Sequence, residues 1–206
     1  MKYILNSREM KQCDMRTIEH YGIPSMVLME RAALSVVSFL HEKKLHQKKI
    51  GILCGGGNNG ADGLAIARLL FLEGAKVTVF QSKDASHKSQ ENEKQFDICS
   101  NYGIKISDDL ADVLSCEVVL DALFGIGLSR DITGENAQLL EKVNAMQAFR
   151  LAVDMPSGIS ADDGTVLGTA FMADATVTFA FAKVGQMVYP GKKYCGQLVV
   201  ASIGIE

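Results

Sequence analysis

Hydrophobic positions along this chain repeat at two spacings, one typical of strands and the other typical of helices. Short apolar runs bounded by glycine or polar residues predict buried strands at residues 50–53, 76–80, 104–106, 116–120, 150–153, 175–179 and 197–201. Apolar residues three or four positions apart predict helices at residues 6–20, 24–47, 64–70 and 136–147, and one more that ends near Gly103. Strands that alternate with helices favour a mostly parallel sheet covered on both faces.

Two polar stretches refine this outline. Residues 6–9, Asn-Ser-Arg-Glu, have the pattern of a capping box, which predicts the start of the first helix. Residues 82–95 are polar and predict a surface loop that enters a helix, with His87 and the neighbouring lysines in solvent. The 206 residues suit one α/β domain with a substantial core.

The most distinctive stretch is a glycine-rich loop between a predicted strand and a predicted helix, Cys-Gly-Gly-Gly-Asn-Asn-Gly-Ala-Asp-Gly at residues 54–63. Glycine lets another group approach the backbone, and amides at the start of a helix attract phosphate. Gly55, Gly57 and Gly60 have the spacing of a dinucleotide fingerprint, but two asparagines precede the last glycine. The Gly-Lys-Ser/Thr of a P-loop is absent. A glycine-rich turn without a ligand is the alternative interpretation.

Two further motifs follow predicted strands, and each begins with an aspartate. Asp121 opens the segment 121–131, and Asp154 opens Asp-Met-Pro-Ser-Gly at residues 154–158. Either aspartate alone is equally consistent with a turn or a helix cap. Ligands of open α/β sheets bind outside the carboxyl ends of the strands, so we expect all three motifs to share one site. Their oxygen donors suit an alkali or alkaline-earth cation, and a carboxylate such as Asp154 suits general acid–base catalysis.

Composition narrows the class of function. The net charge of −3 and the pI near 5.8 give no reason to expect nucleic acid as a partner. No apolar run reaches the roughly 20 residues of a membrane helix, so no membrane is expected either. The five cysteines are scattered without a Cys-x-x-Cys pair, which indicates free thiols in a reducing cytoplasm.

The motifs together resemble one family. Residues 55–63 resemble the G-x-G-N-N-G-G-D-G signature of the NAD(P)H-hydrate epimerases, the family of the YjeF amino-terminal domain. Residues 121–127 and 153–158 are similar to its second and third motifs. The similarity extends in order along the chain, so we expect one such domain over residues 1–206. Ala61 stands where the family usually has glycine and adds one methyl group to the loop.

The resemblance implies a fold, a reaction and a cation. The fold is a three-layer αβα sandwich, Rossmann-like and commonly dimeric. The reaction interconverts the R and S forms of hydrated NADH or NADPH (NADHX and NADPHX), and a potassium ion accompanies the site. Asn59, Asp121 and Ser157 would hold the potassium ion, and Asp154 would contact the substrate at the reacting ring. The residues that would hold the substrate are Asn58, Asn59, Gly60, Ala61, Asp62, Gly125, Ile126, Gly127, Leu128, Ser129, Arg130, Asp131 and Asp154.

Elementary chemistry agrees with a carboxylate at that ring. The hydrated carbon carries a hydroxyl group beside the ring nitrogen, so the nitrogen can expel the hydroxyl once an acid protonates it. The planar iminium can then take water back on either face. One carboxylate that alternates between acid and base would suffice, and Asp154 is the candidate.

Two other interpretations stay open. A binding or scaffold module of the same fold would be free to lose Asn59, Asp121 and Asp154, and all three are present. A Rossmann oxidoreductase is disfavoured, because no ribose-binding acid follows the strand at residues 76–80. Lys83 or Arg130 could contact the 2′-phosphate of an NADPH hydrate, but exposure to solvent is the simpler expectation for both side chains. The sequence therefore does not distinguish the NADH hydrate from the NADPH hydrate as the preferred substrate.

The sequence also raises expectations about assembly. Apolar residues of the amino-terminal helices, among them Met26, Leu28, Met29, Val36 and Val37, predict a twofold dimer. Family members often carry a carboxyl-terminal dehydratase domain that uses ADP or ATP. A dehydratase of this kind, fused or separate, is therefore an expected partner.

Overall fold

A seven-stranded parallel sheet forms the centre of the computed structural model, which describes residues 3–82 and 88–205. The strands along the chain are β1 (Ile4–Leu5), β2 (Ile50–Cys54), β3 (Val77–Gln81), β4 (Ile106–Ser107), β5 (Val118–Ala122), β6 (Phe149–Val153), β7 (Ala175–Phe179), β8 (Ala182–Lys183) and β9 (Gln197–Ala201). The order in the main sheet is β4-β3-β2-β5-β6-β7-β9, and β1 pairs with β8 in a separate parallel pair. The predicted parallel sheet is confirmed.

Helices cover both faces of this sheet. They are α1 (Ser7–Met15), α2 (Ser25–Glu42), α3 (Asn58–Leu72), α4 (Gln90–Asn101), α5 (Ala111–Leu114), α6 (Gly134–Asn144), α7 (Val184–Met187) and α8 (Gly191–Tyr194), with a π-helical turn at Arg16–His20. Side chains alternate along each strand, so Ile52 packs in the core with α2 and α3, whereas Leu53 packs with α5 and α6. The result is the expected three-layer αβα sandwich. Over the described ranges, no helix combines the length and apolar character needed to cross a bilayer.

The amino-terminal helix begins where its capping residues predict. Asn6 Oδ1 accepts a hydrogen bond from the backbone N of Glu9 at 2.9 Å, and Glu9 Oε2 accepts one from the backbone N of Asn6 at 2.9 Å. The capping box is therefore confirmed. The pattern did not predict β1, β8, α5, α7 or α8, because elements of two to four residues are too short to show a period.

The predicted surface loop at residues 82–95 is wrong in its last part. Helix α4 begins at Gln90, and two of its amide side chains are buried, with Asn92 0% and Gln95 1% exposed. Polar composition misled here because amide side chains can be buried when they are hydrogen-bonded. The predictions for His87 and Lys83 lie outside the described residues.

The residues named for a dimer interface mostly lie in the core. Leu28, Met29, Val36 and Val37 are between 0% and 6% exposed, because α2 uses them to cover the sheet. Met26 is half-buried. The argument for a dimer from these side chains is therefore wrong, although the dimer itself stays a prediction.

Candidate active site

A cleft of about 670 Å³ opens at the carboxyl ends of β2, β5 and β6. The chain leaves β2 toward β3 on one side, and β5 later adds to its other side. The loops that follow β2 and β5 therefore diverge, which is the topological switch point where open α/β sheets bind ligands. Helices α1 and α2 form the opposite wall with Met10, Lys11, Asp14, Leu28 and Met29.

The glycine-rich loop after β2 is shaped by contacts that exclude side chains. A Cβ at Gly55 would lie 2.0 Å from the carbonyl O of Leu123, and one at Gly60 would lie 1.9 Å from the carbonyl O of Gly55. Gly57, in contrast, has open space where a side chain would stand, and it is the N-cap of α3. The loop thus presents the first amides of α3 to the cleft, where they and the helix dipole favour an anion such as phosphate.

Side-chain amides hold the outer side of the same loop. Asn92 Nδ2 donates to the carbonyl O of Gly55 at 3.0 Å and to that of Gly57 at 3.2 Å. Gln81, the last residue of β3, donates from Nε2 to the carbonyl O of Gly55 at 3.2 Å. The position at which a Rossmann oxidoreductase places its ribose-binding acid is thus occupied by an amide that binds the loop. This arrangement further disfavours the oxidoreductase interpretation.

Most of the predicted substrate-binding residues line the cleft. They are Asn58, Asn59, Asp62, Gly125, Ile126, Gly127, Leu128, Ser129, Arg130 and Asp154. Gly60, Ala61 and Asp131 do not line it. Gly60 and Ala61 are buried where α3 packs on the loop and the sheet, and Asp131 is exposed beyond the rim. The methyl group of Ala61 is 0% exposed and packs in the core, so it does not crowd the cleft.

Asp121 and Ser157 meet beneath the cleft, as predicted. Ser157 donates to the Asp121 carboxylate twice, from Oγ to Oδ1 and from the backbone N to Oδ2, each at 2.7 Å. The backbone N of Leu123 donates to Oδ1 at 3.2 Å. Burial raises the pKa of Asp121 to about 6, and these hydrogen bonds act in the opposite direction. All three donors are neutral, so the hydrogen bonds stabilise the carboxylate without bringing a positive charge to it.

Asn59, the third predicted cation ligand, lies beside the loop that follows β5. A Cβ at Gly125 would lie 3.2 Å from the Cβ of Asn59, and the preceding residue, Phe124, donates its backbone N to Ser157 Oγ at 3.0 Å. Asn59 Nδ2 is buried and has no hydrogen-bond partner within the described residues. A side-chain amide can present its oxygen or its nitrogen at one position. An unpaired amide, a hydroxyl and the buried Asp121 carboxylate therefore fit a hard monovalent cation such as potassium.

The backbone at Asp154 is held in an unusual conformation. Its φ is 64°, in the left-handed region that residues other than glycine rarely adopt. The backbone N of Asp154 donates to the carbonyl O of Val177 at 2.8 Å, and Gln186 Nε2 donates to the carbonyl O of Asp154 at 2.7 Å. These bonds hold the strained residue at the edge of the cleft, and strain of this kind is common at functional sites.

The Asp154 carboxylate has an ammonium partner that the sequence analysis missed. Lys183 is 1% exposed and forms an ion pair with Asp154 Oδ1. Its Nζ also donates to Thr178 Oγ1 at 2.7 Å and to the carbonyl O of Phe179 at 3.1 Å. The same Oδ1 accepts from Thr178 Oγ1 at 3.0 Å and from the backbone N of Phe179 at 3.2 Å. A lysine within the apolar segment 180–184 was the available signal, because a buried ammonium needs a partner.

Two more carboxyl groups line the cleft near Asp154. Asp62 belongs to α3, and Asp14 belongs to α1. Burial raises the pKa of Asp62 well above its usual range, and the charges of Asp154 and Asp14 raise it further. Burial, with a contribution from Asp154, also raises the pKa of Asp14 to about 6, and Lys183 lowers it. The cleft therefore contains carboxyl groups in different electrostatic surroundings.

The fold and the cleft define a Rossmann-like α/β protein with a ligand site at its switch point. The chain belongs to the family described as YjeF-related protein N-terminus, whose model matches residues 25–185. All three motif segments lie within that match.

Several relatives are similar to the chain over nearly its whole length. A protein of Oenococcus oeni named NAD(P)H-hydrate epimerase is 41% identical, over 98% of this chain and 96% of that protein. One of Limosilactobacillus reuteri with the same name is 45% identical, over 97% of this chain and 94% of that protein. The crystal structure of yeast ynu0, YNL200c, matches with a TM-score of 0.81 over 97% of this chain and 88% of the yeast chain. Its 20% identity shows the shared fold alone.

Proposed function

We propose that this protein is an NAD(P)H-hydrate epimerase, an isomerase that interconverts the R and S forms of NADHX and NADPHX. The relatives that carry this name cover almost the whole chain. The observation that carries the proposal is the Asp154 carboxylate, which lines the cleft opposite the first turn of α3. A carboxyl group and an anion-binding helix start are the two features that the reaction requires.

The cleft suits a nucleotide whose hydrated ring lies deep and whose phosphates lie near the loop. The first amides of α3 bind the phosphates, and residues 125–130 form the adjacent wall. Leu28, Met29 and Ile126 supply apolar surface for the ring and help to exclude water. The ring would then contact Asp154.

The reaction needs general acid–base catalysis at the oxygen of the substrate hydroxyl group. The hydroxyl-bearing carbon lies beside the ring nitrogen, so protonation of the hydroxyl lets the nitrogen lone pair expel it as water. Addition of water to the opposite face of the iminium gives the other epimer. A carboxyl group in the cleft supplies and recovers the proton, which contributes roughly 10²–10⁴-fold to such reactions.

Asn59, Asp121 and Ser157 would hold a potassium ion in this scheme. When bound, the cation would supply positive charge to balance the buried Asp121 carboxylate and the phosphates of the ligand. The support for the site is the unpaired Asn59 amide and the neutral surroundings of Asp121.

The test is an epimerisation assay on separated hydrates. Purified R-NADHX is incubated with the protein in potassium buffer, and formation of the S form is followed by chromatography with the spontaneous rate subtracted. The same assay on NADPHX measures cofactor preference. We expect catalysed interconversion, and Asp97→Asn, on the exposed face of α4, is a control that keeps the full rate. A rate equal to the spontaneous one, with NADP⁺ binding retained, would favour the scaffold interpretation instead.

We propose three further properties of the protein. A twofold dimer is supported by apolar side chains exposed on α2, where Val27 is 47% and Leu34 49% exposed. Sedimentation at micromolar concentration tests the dimer, and a monomer would contradict it.

A cytoplasmic location is supported by the five cysteines, which are all unpaired and so fit a reducing compartment. An ADP- or ATP-dependent dehydratase, fused or separate, is proposed as the functional partner on the basis of the family resemblance.

A further inference from the structure

Among the carboxyl groups that line the cleft are those of three aspartates, and the buried ammonium of Lys183 is bonded to one of them. Asp14, Asp62 and Asp154 come from three different segments and line the same space. Lys183 donates one hydrogen bond to Asp154 and the other two to Thr178 and Phe179, the last residues of β7. An ammonium group has three protons, so these contacts use them all.

The ion pair of Lys183 with Asp154 makes the surroundings of Asp62 and Asp154 different. Direct contact with an ammonium stabilises the ionised form of a carboxyl group, and Asp154 has this contact. Asp62 has none within the described residues, and burial together with the neighbouring carboxyl groups favours its neutral form. Two carboxyl groups whose environments differ in this way are suited to different roles in one reaction.

We propose that the reaction is divided between these two carboxyl groups: Asp62 donates and recovers the proton, and Asp154, held by Lys183, stays ionised beside the nicotinamide ring. The inference rests on the proposed function, since it assigns roles within that reaction. It differs from the mechanism in which Asp154 alone is both acid and base. Lys183 is then a positioning residue for Asp154.

The chemistry balances as follows. The Asp62 carboxyl group gives its proton to the substrate hydroxyl, the carbon–oxygen bond breaks, and water leaves with the bonding electrons. The nitrogen lone pair forms the carbon–nitrogen double bond, and the Asp154 carboxylate stabilises the positive charge of the iminium. The planar ring turns about its bond to the ribose and presents its opposite face. Water adds to the carbon, the double-bond electrons return to nitrogen, and the proton of the added water goes to the Asp62 carboxylate.

Other charged groups reach the same space and must be separated from Asp62 by experiment. Those that line the cleft are Lys11 and Asp14 of α1, Glu91 of α4, Arg130 after β5, and Asp154 with Lys183. Glu91 accepts a hydrogen bond from Ser25 Oγ at 2.7 Å, which engages its carboxyl group. Asp14 is the main competitor, because its pKa is also raised, to about 6.

The decisive experiment is the pH dependence of the epimerisation rate in four isosteric variants: Asp62→Asn, Asp154→Asn, Asp14→Asn and the control Asp97→Asn. We expect the wild-type rate to fall as the pH rises through the pKa of Asp62, since the acid is then ionised. Asp62→Asn should lower the rate by roughly 10²–10⁴-fold and abolish this fall. Asp14→Asn removes a charge that raises the pKa of Asp62, so the fall should move to lower pH. Asp97→Asn should leave the profile unchanged.

Other outcomes overturn the inference. If Asp62→Asn epimerises at close to the wild-type rate, or if the fall at high pH disappears in Asp154→Asn and persists in Asp62→Asn, Asp62 is not the acid. A fall that disappears in Asp14→Asn assigns the acid to Asp14. If the wild-type protein does not epimerise either hydrate, the proposed function fails and this inference fails with it. If the wild type catalyses epimerisation and Asp62→Asn does so at the same rate, this inference fails but the proposed function stands.

A second readout does not depend on catalysis. Carbon-13 labelling of the aspartate carboxyl groups gives one resonance that is absent from Asp62→Asn and so identifies Asp62. At a pH at which free aspartate is fully ionised, that resonance should keep the chemical shift of a neutral acid. The shift of an ionised carboxylate there would overturn the proposal. Matching unfolding temperatures of the variant and the wild type confirm that the comparison concerns folded protein.

Discussion

Asp121 and Asp154 come from neighbouring strands of one sheet but have different partners. The Asp121 carboxylate receives three hydrogen bonds, all from neutral groups of Ser157 and Leu123. The Asp154 carboxylate forms an ion pair with the buried ammonium of Lys183. A positive charge at the first carboxylate would have to come from solution, as in the proposed potassium site, whereas Lys183 supplies one to the second.

The two aspartates have similar positions at strand ends but differ in the charge of their partners. Both residues follow buried apolar runs, and the sequence gives them the same signal. Neutral donors leave Asp121 suited to a cation that binds and dissociates. A fixed ammonium leaves Asp154 suited to chemistry on a bound ligand. Each prediction below tests one side of this comparison.

The largest expected effect is on catalysis through Asp154. Asp154→Asn keeps the size of the side chain but removes its charge, so the epimerisation rate should fall by roughly two to four orders of magnitude. NADP⁺ binding, measured by calorimetry, should largely survive. A near-normal rate would remove Asp154 from the mechanism. Loss of the rate together with loss of binding would place Asp154 in ligand positioning.

The next effect is on stability through Lys183. Lys183→Met leaves the Asp154 carboxylate without its ammonium, and breaking a buried ion pair in this way costs roughly 3–5 kcal/mol of the free energy of unfolding. The lower end is expected here, because the Asp154 side chain is 13% exposed. The double variant Lys183→Met/Asp154→Asn has no unpaired charge and should recover much of the loss in urea unfolding. Equal losses in the single and double variants would show that packing, not charge, dominates.

A smaller effect concerns potassium and Asp121. Replacing tetramethylammonium with potassium at constant ionic strength should stabilise the wild type by about 1.4 kcal/mol when potassium is at tenfold its Kd. Asp121→Asn should abolish this response, whereas Asp154→Asn should keep it. The opposite pattern, with the response lost in Asp154→Asn and kept in Asp121→Asn, would reverse the comparison. Differential scanning fluorimetry provides the measurement.

The last prediction concerns the pH dependence of stability at Asp14. Its pKa in the folded protein is raised from 3.8 to about 6, so the folded state favours the neutral carboxyl group. The stabilisation is therefore complete below pH 3.8 and is lost as the pH rises through about 6. Over that range, the wild type should lose stability relative to Asp14→Asn, and urea titrations of both proteins test this. A constant difference across the range would contradict the raised pKa.

Local signals in the sequence predicted the main sheet and the contact at Asp121, but not the partner of Asp154. The capping box at Asn6, the seven strands of the main sheet and the meeting of Asp121 with Ser157 all follow from local pattern and from the rule that parallel strands end at one edge. The partner of Asp154 did not, because Lys183 lies 29 residues further along the chain and beyond the next strand. Asn92 was missed for a similar reason, since its bonds to the glycine loop span 35 and 37 residues. Contacts of this kind depend on tertiary packing, and no periodicity records them.

The pairing of β1 with β8 affects where this domain can be trimmed. Leu5 lies beside Lys183 in that pair, and α1 contributes Asp14 to the cleft. The family match begins at residue 25, so a fragment cut at that boundary would keep every glycine and aspartate motif. It would nevertheless lose β1, which pairs with the strand that contains Lys183, and α1, which forms part of the cleft wall. Deletions that remove β1 and α1 therefore alter the cleft itself, and an inactive fragment of this kind would reveal nothing about the motifs it retains.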